Sequence, residues 1–162
     1  MKYIFVLILT FATPVFAQEH LASVHAGIWH GVGVQIDGPD WEMQLTLGDG
    51  ATMVAYPTLE CGGEWQDIKV DATQILAVEQ ITYGREDCLD GGLVRLQEYG
   101  EDMLIYHWFD NSGKPLAAAI LLRGEMRDNT YNALRALTLK TVGKGFIMGP
   151  EMLDIDIGEI RI

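Results

Sequence analysis

The sequence predicts an all-β fold, mainly an antiparallel meander of about eight strands, with a short C-terminal helix and strand after it. Three observations predict it. From Gly27 to Arg123 the chain divides into short alternating or β-rich runs. Clusters of Gly, Asp, Asn and Pro separate the runs. The gaps are shorter than the dozen or so residues a parallel crossover needs, so consecutive strands pair antiparallel. An up-and-down barrel is expected over a two-sheet sandwich, because closure removes both exposed edges; periodicity alone leaves the sandwich open.

The strands follow in order. Trp29–Ile36 ends at Asp37-Gly38-Pro39-Asp40, and Trp41–Leu47 ends at Gly48-Asp49-Gly50. Thr52–Tyr56 stops at Pro57, which has no N–H for a ladder. Gly62-Gly63 reads as a break before Glu64–Val70, and Gln74–Tyr83 runs to Gly84. Gly92–Tyr99 turns at Gly100-Glu101-Asp102, Met103–Phe109 turns at Asp110-Asn111-Ser112-Gly113, and Leu116–Arg123 closes the series. Beyond it, Asp128-Asn129 supplies a cap for a helix with Tyr131, Leu134, Leu137 or Thr138, and Thr141 on one face, ended by Gly143-Lys144-Gly145. Leu153, Ile155 and Ile157 then alternate with Asp154 and Asp156, and a bulge at Gly158 would return Ile160 and Ile162 to the apolar face.

Residues 1–17 have the form of a signal peptide: Lys2, an apolar run shorter than a membrane span of about 20 residues, and the small-x-small ending Val15-Phe16-Ala17. The expected organisation is therefore a signal peptide at 1–17, a flexible arm at 18–26, a barrel domain at 27–123 and an extension at 124–162 that packs on the barrel. The expected location is periplasmic or secreted, with no membrane span after cleavage.

The 162 residues carry 11 Lys+Arg against 23 Asp+Glu, a formal charge of −12. Losing Lys2 with the leader takes 11 basic residues to 10 and the charge to −13. That balance opposes nucleic-acid binding, which needs basic residues on the phosphates. It favours cations or basic proteins instead.

In an oxidising compartment Cys61 and Cys88 are expected to form one disulfide, a loop of 27 residues. A reactive thiol or a two-cysteine metal site is the alternative, although no Cys-x-x-Cys is present.

Catalytic motifs are scarce. Beyond the leader the serines are Ser23 and Ser112, and neither sits in a Gly-x-Ser-x-Gly elbow. No phosphate-cradling glycine motif occurs. His20, His25 and His30 are spaced five apart, which suits metal ligands on neither a helix nor a strand. Glu86, Asp87 and Asp90 share a glycine-ended loop that calcium could favour, but no EF-hand pattern accompanies them. No metal and no cofactor is expected.

Glu79 carries more information. In Gln74–Tyr83 it shares a face with Ile75, Ala77, Ile81 and Tyr83, and a carboxylate on an apolar face needs a partner or a raised pKa. Arg95 or Arg85 is a candidate partner. Gln35 shares the face of Trp29, while Trp29, Trp41, Trp65 and Trp108 fall near strand ends, where they could plug a barrel or line a cavity. The candidate ligand-binding residues are Glu79, Gln35, Arg95, Trp29 and Trp108; no catalytic residue is assigned.

The stretch Tyr56-Pro57-Thr58-Leu59-Glu60-Cys61-Gly62-Gly63-Glu64-Trp65, followed by Glu79-Gln80-Ile81, Cys88-Leu89-Asp90-Gly91-Gly92 and Tyr106-His107-Trp108, resembles a recurrent small exported bacterial domain. The resemblance covers roughly Trp29 to Leu122 and implies no activity. Gly27-Ile28-Trp29 also resembles the Gly-x-Trp opening of lipocalin-like and avidin-like barrels, without their further motifs. Neither resemblance transfers a functional residue.

The expected function is that of an exported, non-catalytic binding module whose acidic surface engages a basic protein, as inhibitors of cationic hydrolases or immunity proteins do. One alternative is a small ligand held in the barrel interior near Glu79. A second is a carboxylate-dependent hydrolase, which needs another acid at the right separation.

Overall fold

The computed structural model describes residues 25–48, 51–70, 73–100, 102–126 and 130–141. The expected leader, residues 18–24 of the arm, the cap at Asp128-Asn129 and the strand around Gly158 lie outside them. Eight antiparallel strands close into a barrel in sequence order: β1 (Gly27–Gln35), β2 (Trp41–Leu47), β3 (Met53–Tyr56), β4 (Cys61–Val70), β5 (Gln74–Tyr83), β6 (Leu93–Glu98), β7 (Met103–Phe109) and β8 (Pro115–Arg123). A single 3-10 turn, Pro57–Leu59, joins β3 to β4. Among the described residues a helix, α1 (Thr130–Thr141), follows the barrel.

Closure runs through β1 and β8, in register from Trp29↔Arg123 to Gln35↔Ala117. That pairing decides for the barrel against the sandwich. Alternate residues point inward, so Trp41, Met43, Leu45 and Leu47 of β2 join Leu104, Tyr106 and Trp108 of β7 in one core. Eight strands leave a lumen just wide enough for side chains or one small ligand.

The closing seam is covered from outside. Val32 and Val34 of β1, with Ala118 and Ile120 of β8, pack against Leu134 of α1. These two strands are buried on both faces, which is why they read as almost unbroken apolar runs rather than as alternation. The Thr138 hydroxyl donates to the Val32 carbonyl at 2.8 Å and accepts from the Ile120 N–H at 3.2 Å, tying α1 to both strands. Arg135 of the same helix pairs with Asp40 in the β1–β2 turn. The described part of the extension thus packs on the barrel.

Strand β4 departs from the sequence reading. Gly62-Gly63, which punctuates the sequence like a turn, lies inside a strand that begins at Cys61. A Cβ on Gly63 would stand 1.8 Å from the Gln80 carbonyl oxygen, and one on Gly62 would stand 2.5 Å from that of Val54. The two glycines therefore serve close approach of neighbouring strands at a register shift, not chain reversal. A second shift lies between Gln66 and Lys69, where Asp67 has φ of 50°. This irregularity breaks the expected alternation and leaves Ile68 exposed.

One end of the barrel is plugged. Trp29 is buried there, donates from Nε1 to the His25 carbonyl at 2.8 Å, and carries the Arg123 guanidinium 4.3 Å above its ring. Arg123 also donates to the Ala26 carbonyl and to Asp102. His25, in the last part of the arm, is buried and hydrogen-bonded to Glu98 at 2.6 Å. Cys61 and Cys88 form a disulfide at the opposite end, linking the start of β4 to the long β5–β6 loop.

Replacing both Cys61 and Cys88 by Ala should lower unfolding free energy by about 3.5 kcal/mol, the chain-entropy value for a loop of this size, read as a lower urea midpoint. Thr138→Val should cost about 1–2 kcal/mol by removing the hydroxyl that bonds both seam strands.

Candidate functional site

The end of the barrel opposite Trp29 is open. There the ends of β1, β2, β7 and β8, the 3-10 turn and the β5–β6 loop surround a pocket of about 100 Å3. Its lining includes Gln35, Trp41, Tyr56, Leu59, Glu79, Asp87, Cys88, Leu89, Tyr106, Trp108, Leu116 and Ala117. Two tryptophans fit because glycines face them. A Cβ on Gly33 would stand 2.3 Å from the Trp41 ring, and one on Gly92 would stand 2.0 Å from that of Trp108.

Glu79 lies at the inner wall and is 2% exposed. Its backbone is fixed on both sides of the peptide, with N–H donated to the Gly92 carbonyl and the carbonyl accepting from Gly91, each at 2.9 Å. The side chain meets neutral donors only. Tyr56 donates to Oε2 at 2.7 Å, while the Trp65 indole and the Tyr106 hydroxyl donate to the same oxygen at 3.2 Å. The two tyrosine hydroxyls lie 2.9 Å apart. The Trp41 ring meets those of Tyr56 and Tyr106 edge-on at 5.2 and 6.1 Å, and Trp65 stacks with Tyr106.

The electrostatics follow from that geometry. Burial pushes the Glu79 carboxyl up to about 7, against the opposing effect of donors from Tyr56, Trp65, Tyr106 and Trp108. Burial, and then the Glu79 charge, raise the hydroxyls of Tyr56 and Tyr106 well above their ordinary value. Around neutral pH the carboxyl is the group in this cluster that exchanges a proton.

Of the residues singled out by sequence, the structure brings Glu79, Gln35 and Trp108 together in the pocket lining. It does not bring Arg95 or Trp29 to them. Trp29 plugs the other end. Arg95 points outward, because its neighbours Val94 and Leu96 point in, and its guanidinium lies 5.4 Å from the Phe109 ring. Arg85, the other candidate counter-charge, donates to the Ile81 carbonyl at 2.7 Å. Neither arginine neutralises Glu79. His107 is buried on the outer face of β7, where burial and then the Arg95 charge push it down to about 3, so it is neutral near pH 7.

Sequence reasoning did not assign Tyr56, Trp65 or Tyr106 to the site. The available signal was alternation: an inward carboxylate needs donors, and all three occupy inward positions on their strands. Which of the inward aromatics lie beside Glu79 depended on register, with Trp65 directly opposite it across β4 and β5. Asp90 of the acidic loop accepts from the Ile81 N–H at 2.8 Å, a fold-stabilising use. Among the described residues no group of three or more His, Cys, Asp or Glu side chains is placed to hold a metal ion.

The raised carboxyl makes a pH signature. Between about pH 4.5 and 7 the folded protein holds a proton on Glu79 that the unfolded chain has lost, so this group's contribution to stability falls as pH rises through that window. Relative to Glu79→Gln, the native protein should lose about 3 kcal/mol across it. Urea midpoints of both proteins over that range test this; parallel curves would refute a raised Glu79. No family model matches the chain, and no curated protein or solved structure matches it.

Proposed function

We propose that the protein is an exported, non-catalytic binding module that holds a small ligand in the open mouth of its barrel, over Glu79. The observation that carries this reading is the combination of a preformed aromatic pocket with a buried carboxylate in its wall. Binding sites are concave, largely apolar and supplied with a few convergent polar groups. A cavity of about 150 Å3 accepts benzene, so about 100 Å3 suits a handful of heavy atoms, with a larger ligand's remainder extending through the open mouth.

Export is supported by the leader-like start and by the disulfide. The hydrolase reading finds one further carboxylate at the pocket, Asp87, which is exposed on the rim rather than set across from Glu79 in the wall. A second reading has one observation in its favour. Leu89 and Tyr83, 60% and 51% exposed, flank Glu86 and Asp87 in and beside the β5–β6 loop, an acidic and apolar combination suited to a basic protein partner.

The test uses small alcohols, amides and amines followed by amide NMR. Saturable shifts should map to Glu79, Tyr106 and Trp108. Ala117→Leu, which adds an isopropyl group to the lining, should abolish them while leaving the fold intact. Shifts that persist in that variant, or that map elsewhere, would refute the pocket.

A further inference from the structure

The pocket is chemically one-sided. It contains two carboxylates, Glu79 in the wall and Asp87 on the rim, and none of the described residues lining it is Lys, Arg or His. Glu79 is 2% exposed yet has no cationic partner among the described residues: its hydrogen bonds come from tyrosine and tryptophan, and three of them converge on Oε2. A carboxylate taken out of water without a counter-charge carries a desolvation penalty, and neutral donors offset only part of it. The lining also includes Trp41, Tyr56, Tyr106 and Trp108, and aromatic ring faces attract positive charge. The whole chain adds a formal charge of −12, which draws cations toward any cleft.

We propose that the ligand of this pocket is a small organic ammonium ion, its charged head seated among the four aromatic side chains with the Glu79 carboxylate as counter-ion. This rests on the mouth of the barrel being a ligand site, and names the chemical class that site takes. An anion would meet two carboxylates and no compensating charge. A neutral molecule would leave the carboxylate unbalanced or protonated. A desolvated ammonium satisfies both the carboxylate and the rings, and a methylated one suits the aromatic walls best.

Binding is coupled to the proton on Glu79. The titratable groups facing it are Tyr56 from β3 and Tyr106 from β7; Asp87 lies exposed on the rim, and Arg95 on adjoining β6 points away. The ammonium binds the ionised carboxylate, so its affinity is full above about pH 7 and falls about tenfold for each pH unit below it.

Calorimetric titration with choline and with its uncharged carbon isostere, 3,3-dimethylbutan-1-ol, tests the inference. Above neutral pH choline should bind at least about tenfold more tightly, in line with a desolvated cation–π contact and a counter-ion. Choline affinity should drop as pH falls, while that of the alcohol should not. Glu79→Gln should remove the difference between the two ligands. Trp108→Leu, which keeps the wall apolar, should weaken choline more than the alcohol and serves if Glu79→Gln does not fold. Equal affinities, or tighter binding of the alcohol, would overturn the ammonium assignment and leave the pocket as a ligand site. Saturable binding of neither would overturn both.

Discussion

Pairing of β1 with β8 is the constraint on which the remaining features depend. Once the sheet closes at eight strands, lumen width is set, and every inward side chain must share that fixed cross-section. Four tryptophans point inside, and two of them fit because glycines face them, Gly33 facing Trp41 and Gly92 facing Trp108. Closure also makes the seam the place where failure would open the barrel. Helix α1 lies there, with Leu134 on the apolar outer face and Thr138 bonded to both strands. An outer helix over a closing seam adds apolar burial where a meander has its longest-range pairing.

A closed lumen has two ends, and this chain treats them differently. At one end Trp29, Arg123, His25 and Glu98 form a plug of ring contact and hydrogen bonds. At the other, the disulfide holds the long β5–β6 loop beside β4, so that Cys88 and Leu89 become part of a rim rather than a loose cover. Space therefore remains at one end, and it is there that Glu79 faces the lumen. A carboxylate in an apolar barrel is costly, and the hydroxyls of Tyr56 and Tyr106 and the indole of Trp65 reduce that cost without supplying positive charge. Among the described residues no cation stands beside this carboxylate. Its raised pKa and its proposed ligand are two expressions of that deficit.

Strand order, the single disulfide and the place of Glu79 on an apolar strand face were legible in the sequence because each depends on local chemistry; that this face is the inward one came from the structure. Turn residues mark strand ends, alternation marks faces, and two cysteines allow one intramolecular bridge. The errors were local signals with more than one meaning. Gly62-Gly63 looks like a turn in sequence, yet the same lack of a Cβ serves close strand approach, and only the position of the Gln80 carbonyl distinguishes the two uses. Arg95 was a plausible partner for Glu79 by sequence distance, but alternation between Val94 and Leu96 sends it outward.

By itself, then, the sequence determined an acidic, mainly antiparallel domain of about eight strands with one acid on an apolar strand face. Those properties follow from composition and from a period of two along each strand. The tertiary structure alone decided that the sheet closes, which end stays open, and which aromatics surround the carboxylate. These depend on register between strands and on the fixed lumen, and a shift of one residue would turn the same side chains to the opposite face.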